Sequence, residues 1–211
     1  PCFGARRFGG LTLVGATMHV DDVLAEVLQD VAFYRSSGGG VTFSGGEPVL
    51  QTDFMFEMLN ACRANGLHTA IETAGCYRWE RLERLLPHID LVMMDLKHMD
   101  SAQHQATTGA SNDLILANAR HLASTSVPLI FRVPVIPTVN DTPDAIRAIA
   151  RFVQELSALR GTPIPLELLQ FHRLAENKYT SLGHLYKARS LPDSVANFQE
   201  LTAIAQSFET N

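Results

Sequence analysis

Short apolar runs alternate along this chain with longer stretches in which apolar residues return every three or four positions. The short runs predict strands over Val41–Ser44, His68–Thr73, Leu91–Lys97, Leu129–Ile136 and Leu166–Phe171. Each is short and apolar in character, as buried parallel strands are. The longer stretches predict helices. In Val20–Ser36, apolar side chains fall at Val20, Val23, Leu24, Val27, Leu28 and Val31, with Asp21 and Asp22 in the first turn. Thr52–Asn65 is amphipathic and meets Gly66, a natural left-handed stop. Trp79–Leu86 runs into Pro87, and Asn112–Ser124, Thr142–Leu159 and Pro192–Phe208 complete the set.

Repeated strand–helix units point to an α/β fold with a parallel sheet, either open or an incomplete barrel. Five strands are three short of a closed eight-stranded barrel. Residues 1–19 break the pattern: Gly4, Gly9, Gly10 and Gly15 are closely spaced around Leu11–Val14, which could be one strand of a small hairpin. They read as the tail of an upstream region, with one compact domain over residues 20–211. The first residues, Pro1-Cys2-Phe3-Gly4, carry no initiator Met and no signal-type apolar core, so Pro1 reads as a cut or processed end.

Composition narrows the function classes. Of the 211 residues 46% are hydrophobic and 18% charged, enough for a large core. The net charge is −5 without a long basic run, which argues against nucleic acid as partner. No apolar stretch is long enough to span a bilayer. Three cysteines (Cys2, Cys62, Cys76) without pairing-like spacing fit a reducing compartment, and a cytoplasmic protein is expected.

Candidate chemistry collects where parallel α/β folds place it, at the C-terminal ends of strands. The first predicted strand runs into Ser44-Gly45-Gly46-Glu47-Pro48. Paired glycines leave backbone groups open to a ligand, and the glutamate can accept from an ammonium group. The following strand ends bring Glu72 and Thr73, then Met93, Asp95 and Lys97, then Arg132 and Pro134, then His172. Each has a plainer reading. Glu72 and Asp95 could pair with Arg132 or Lys97 in a structural network, and His172 could be a core histidine. The Met93 and Met94 side chains read as strand packing. His98 and His104 read as surface residues, and the segment from His104 to Gly109 as a turn. Cys62 reads as packed in its helix; Cys76 follows a strand end, where a role near the site is conceivable.

The strings SGGGVTFSGGEPVLQ, HTAIETAG, DLVMMDLKHMD, HQATTGASN, FRVPVIPTVND and LLQFHRLAENKY together resemble the glycyl-radical-enzyme activating enzymes, the pyruvate formate-lyase activating enzyme family of radical S-adenosylmethionine (SAM) proteins, over residues 20–187. That resemblance implies a partial (β/α)6 TIM-like barrel with its first strand missing from this chain. It implies SAM and a [4Fe–4S] cluster as cofactors, and a 5′-deoxyadenosyl radical that takes hydrogen from a glycine of a partner glycyl radical enzyme. It further implies a flavodoxin or ferredoxin as electron donor; a monomer is the default expectation. By the same resemblance, Gly45, Gly46 and Glu47 would meet the SAM amino group. Glu72 and Thr73 would lie near its carboxylate, where the family can also hold a monovalent cation, with the Met93 carbonyl in the same region. Asp95 and Lys97 would sit near SAM and the substrate peptide as catalytic residues. Arg132 and Pro134 would flank the ribose and carboxylate, and His172 the adenosine.

The chain departs from the family in one respect that matters most. The family's CxxxCxxC cluster motif occurs nowhere in these 211 residues. Cys2, before Gly4-Ala5, resembles the end of a ferredoxin-like insert and would be an auxiliary cluster ligand. Gln170 and Ala175 stand where the family usually has proline and glycine. These 211 residues alone are therefore expected to be inactive. Two other readings stay open: a cluster-free module that grips a glycyl radical enzyme, and a Schiff-base aldolase using Lys97 beside Asp95.

Overall fold

The computed structural model describes residues 15–173, 176–183 and 185–208. Five strands form one sheet: β1 (Gly40–Phe43), β2 (His68–Thr73), β3 (Leu91–Asp95), β4 (Leu129–Val135) and β5 (Leu166–Gln170). Every pair is parallel, and the spatial order is the chain order. Sequential neighbours are the order of a barrel segment, whereas a doubly wound sheet reverses direction partway. All five expected strands are present within one or two residues, and Glu72, Thr73, Asp95 and Arg132 lie within the paired register.

The register shows which side chains share a face. Thr42 pairs with Ala70, Glu72 with Met93, Asp95 with Arg132, and Arg132 with Glu167. These residues, with Pro134 and Leu169, project from one face. The opposite face carries Ile71, Val92, Met94, Phe131, Val133 and Val135, all fully buried. That face packs on the helices: α3 (Thr52–Ala64), α6 (Asp113–Ala123), α7 (Pro143–Arg160) and α9 (Phe198–Gln206) supply Met55, Leu59, Ile115, Ala119, Ile146, Ile149 and Leu201 to one continuous core. Among the described residues a single layer of helices covers one face and leaves the other open, the cross-section of a partial TIM-like barrel. A smaller cluster joins α3, through Met58 and Cys62, to the first two helices.

Several helices differ from expectation for local reasons. The single helix expected over Val20–Ser36 is two, α1 (Val20–Gln29) and α2 (Val31–Ser37), because Asp30 (φ −97°, ψ 8°) interrupts the helical turn. Pro48 opens a 3-10 turn, Pro48–Gln51, before α3 starts. The short α4 (Trp79–Glu83) is followed by a 3-10 turn over Leu86–His88 rather than continuing to Leu86. An unexpected helix, α5 (Ser101–Thr108), occupies the segment read as a turn. Asp100 caps it by accepting from the Gln103 N–H (2.8 Å), and Gly109 ends it in the left-handed region. His104, expected at the surface, is buried on α5, with its Nδ1 2.7 Å from the Ala110 carbonyl. The closing helix begins at Phe198, not Pro192. The preceding segment is held out of helix by Arg173, which bonds the Leu191 carbonyl and the Asp193 carboxylate, while Val195 drops into the core. A further short helix, α8 (Glu176–Ser181), follows β5. Cys2 and the rest of residues 1–14 lie outside the described residues, so Cys2 as a cluster ligand has no structural reading.

Candidate active site at the strand ends

Because the strands are parallel, their C-terminal ends open on one edge, and the chemistry-bearing residues of four of the five loops meet there. After β1 the chain turns through Ser44, Gly45 and Gly46. Gly45 sits at φ +114°, a region side chains rarely adopt, and a Cβ at either glycine would point into open space. The backbone is therefore open on the site side, as close approach of a ligand requires. Glu47 follows and caps the Pro48–Gln51 turn, accepting from the Val49 N–H at 3.3 Å. Its carboxylate also accepts from the Thr73 hydroxyl, 2.9 Å from both oxygens, and from the Ala74 N–H at 3.0 Å. Burial raises the Glu47 pKa above the ordinary carboxylate value; these donors and the positive charge of Lys97 pull it back without cancelling the rise.

On the open face a second group assembles. Arg132 on β4 reaches Glu72 on β2 through Nη1 and Glu167 on β5 through Nε, the latter at 3.1 Å. One guanidinium thus ties together three strands. Lys97 closes on Asp95 at 2.8 Å, and both are half-buried. Glu72 and Asp95 are thus paired as the structural reading expected. The cations among these groups, Arg132 and Lys97, face four carboxylates: Glu47, Glu72, Asp95 and Glu167. Such a face favours a ligand that carries positive charge as well as a carboxylate. Met93, at the centre of β3, registers with Glu72 and Ile130, with its backbone between two neighbouring strands. Pro134 sits on the same face, and His172 is exposed just beyond β5, which sets aside a core histidine.

The acid–threonine pair Glu72–Thr73 is split by strand parity. Glu72 turns to the open face and Arg132, and Thr73, buried, turns the other way to Glu47. Sequence reasoning missed four residues that shape the site: Glu167, Tyr77, Asn118 and Asn140. Asn140 is fully buried and ties two strand ends together, donating to the Lys97 and Pro134 carbonyls at 2.8 and 3.0 Å. Its carbonyl accepts from the Ile136 N–H at 2.7 Å. The signal was present in Pro137-Thr138-Val139-Asn140-Asp141, a turn-forming string directly after a strand. A cavity of about 330 Å³ lies against α7 and α9, away from these groups, and one of about 440 Å³ lies between β5 and α9, where Glu167 lines it.

Cys62 and Cys76 do not form a cluster site. Among the described residues Cys62 is buried in α3, Cys76 is exposed, and no group of three or more His, Cys, Asp or Glu could hold a metal. The open diglycine turn, the acceptor Glu47 and the mixed charges of the open face fit SAM; the two described thiols, Cys62 and Cys76, do not fit an iron–sulfur cluster.

Residues 12–153 match the Radical SAM superfamily. The chain is 40% identical over 190 residues to the (2S)-3-sulfopropanediol dehydratase activating enzyme of Klebsiella oxytoca, covering 90% of this chain and 59% of that protein. It is 42% identical to the isethionate sulfite-lyase activating enzyme of Desulfovibrio desulfuricans, over 87% of this chain and 58% of the relative. Among solved structures, a domain of pyruvate-formate lyase-activating enzyme from Bacteroides vulgatus superposes with a TM-score of 0.64 at 30% identity, over 81% of this chain and 94% of that one. SuiB of Streptococcus suis bound to S-adenosylmethionine shares the fold, with a TM-score of 0.68 at 14% identity over 94% of this chain and 42% of that one. The chain belongs to the radical SAM superfamily, in its family of glycyl-radical-enzyme activating enzymes. It spans about three-fifths of the length of the curated relatives it matches. SAM and a [4Fe–4S] cluster are the cofactors of that superfamily. Among the described residues no helix is long and apolar enough to cross a membrane.

Proposed function

We propose that the protein carrying this chain is an activating enzyme that uses SAM and a [4Fe–4S] cluster to remove hydrogen from a glycine of a partner glycyl radical enzyme, by way of a 5′-deoxyadenosyl radical. The cofactors supply the homolytic chemistry; this chain binds, orients and shields. Gly45 and Gly46 let the methionine ammonium approach, and Glu47 accepts from it. Arg132 faces the SAM carboxylate and ribose, beside Pro134, and His172 meets the adenosine. Glu72 and Met93 line the carboxylate region, where the monovalent cation of the family would also sit. Asp95 and Lys97 hold the substrate peptide near the reacting carbon. The partner is a glycyl radical enzyme of the lyase, dehydratase or decarboxylase kind, since relatives' names include all three. A flavodoxin or ferredoxin delivers the electron to a monomer in the cytoplasm.

The observation that carries this reading is Glu47: a half-buried carboxylate fixed by three donors at the lip of an open diglycine turn, with cations and further carboxylates on the adjoining face. A second reading, a module that grips a glycyl radical enzyme without activating it, is favoured only by the cysteine content. The test is titration of the metal-free 211-residue chain with methyl-labelled SAM, followed by NMR. Binding is expected to be weak, because no iron anchors the amino and carboxylate groups, and to be lost in Glu47→Gln. A Kd of about 1 μM or tighter, worth about −8 kcal/mol, would overturn the cluster-dependent part of the reading. Equal affinity of wild-type and Glu47→Gln would overturn the role of Glu47.

A further inference from the structure

Behind Glu47 lies a buried chain of hydroxyl groups that neither the sequence motifs nor the relatives' names assign. Tyr77 is 4% exposed and Thr73 is 4% exposed. The Thr73 Oγ1 stands 3.1 Å from the Tyr77 hydroxyl, 3.0 Å from the Gly75 N–H and 2.9 Å from both Glu47 oxygens. Hydrogen-bond accounting fixes the direction of this chain. A threonine hydroxyl has one proton to give and two lone pairs to receive. Gly75 N–H fills one lone pair. The carboxylate of Glu47 can only accept, so the Thr73 proton belongs to it. The remaining lone pair faces Tyr77, whose hydroxyl has Thr73 as its partner and must donate there.

The loop that carries Tyr77 is held from behind. Asn118 on α6 is 2% exposed and donates to the Gly75 carbonyl at 2.9 Å and to the Tyr77 carbonyl at 2.7 Å. Gly75 lies flat on Met94, where a Cβ would stand 2.2 Å from its methyl carbon. Tyr77 therefore has little freedom, and its hydroxyl is set by the packing of α6 and β3 rather than by solvent.

We propose that Tyr77 is a positioning residue for the ligand's ammonium group: its buried hydroxyl donates to Thr73, locks the Thr73 proton onto Glu47, and so holds that carboxylate at the lip of the Gly45–Gly46 turn. This rests on the reading of Glu47 as the ammonium acceptor. Each relayed hydrogen bond polarises the next, so loss of the first donor weakens the second. Thr73 and Tyr77 are thus more than core filler, and Thr73 acts on the amino end of the ligand through Glu47 rather than on the carboxylate beside Glu72.

The test uses the full 211-residue chain with ¹³Cδ-labelled glutamate at one fixed, mildly alkaline pH, with Glu47→Gln assigning the Glu47 resonance. Tyr77→Phe and Thr73→Val are expected to move that resonance, and Thr73→Ser to restore it. The SAM affinity read by NMR titration should fall about fivefold in Tyr77→Phe, the worth of one hydrogen bond of about 1 kcal/mol. Thr73→Val should lower it further and Thr73→Ser should hold it near wild type. Thr73→Ser also serves where Tyr77→Phe fails to fold, since the contrast between serine and valine reads the same relay. An unmoved Glu47 resonance in both Tyr77→Phe and Thr73→Val would overturn the relay. A moved resonance with SAM affinity unchanged in Glu47→Gln itself would leave the relay standing and remove the ammonium assignment instead.

Discussion

Gly75→Ala should be among the most damaging single-methyl additions to this fold, and the structure says why in two separable parts. Gly75 has φ +72°, in the left-handed region, which costs an alanine about 1–2 kcal/mol. The new Cβ would also stand 2.2 Å from the Met94 methyl, with Ile115 3.7 Å away. Met94 is fully buried on the helix-covered face of β3, so it must shift within a packed core; overpacking of that kind costs about 1–3 kcal/mol. The sum is about 2–5 kcal/mol. For a chain of this size each kcal/mol lowers Tm by about 2–4 °C. Gly66→Ala is the control. It has nearly the same φ, +67°, and nothing within 4 Å of the new Cβ, so it should cost only the backbone part. The assay is denaturant unfolding of wild type, both single variants and Gly75→Ala with Met94→Ala. In that last variant the clash is relieved, so the two substitutions should cost less together than their sum. If Gly75→Ala and Gly66→Ala are equally destabilising, the contact with Met94 carries no energy and the packing argument fails.

Three further outcomes follow from the same geometry. An alkylating reagent should modify Cys76, which is exposed, in the native protein and spare Cys62, which is buried and whose thiol pKa burial raises; modification of both at equal rates, by mass spectrometry of peptides, would contradict the packing of α3. Stability should fall as pH rises above about 9: the Cys62 thiol and the Tyr77 hydroxyl, ordinarily near 9.0 and 10.0, are both pushed up by burial, so the unfolded chain gives up these protons first and binds fewer, and unfolding is favoured. Urea midpoints that stay level from pH 8 to pH 11 would refute this. Finally, a double-mutant cycle of Arg132→Met and Glu167→Gln should return a coupling of about 0.5–1 kcal/mol, the modest worth of a partly exposed ion pair; zero coupling would mean that the tie from β4 to β5 contributes nothing to stability.

Most of the fold was legible because parallel strands are written as short apolar runs, and all five were found that way. What failed were segments whose structure is decided by partners distant in sequence. Nothing in the polar string of α5 announces a helix; the cap at Asp100 and the stop at Gly109 do, and His104 is buried by its bond to the Ala110 carbonyl rather than by any apolar period. The helical pattern from Pro192 was real as a local preference. It lost to Arg173, which draws the Leu191 carbonyl and Asp193 into a loop.

The site divides along the same line. Strand ends placed Glu47, Glu72, Asp95, Lys97 and Arg132 correctly at one edge, because a parallel sheet leaves no choice of edge. Facing is a different matter, since adjacent strand residues point to opposite sides. Glu72 and Thr73 read as a pair in the sequence and are separated by the sheet: one neutralises Arg132 on the open face, the other serves Glu47 from the buried one. Tyr77 could be found only once that division was known, because its hydroxyl matters through Thr73 and has no motif of its own. In the proposed reading the open face carries the groups a ligand touches. The buried face, through Asn118, Gly75 and Tyr77, fixes where those groups stand, and substitutions there should alter ligand affinity without any contact to the ligand.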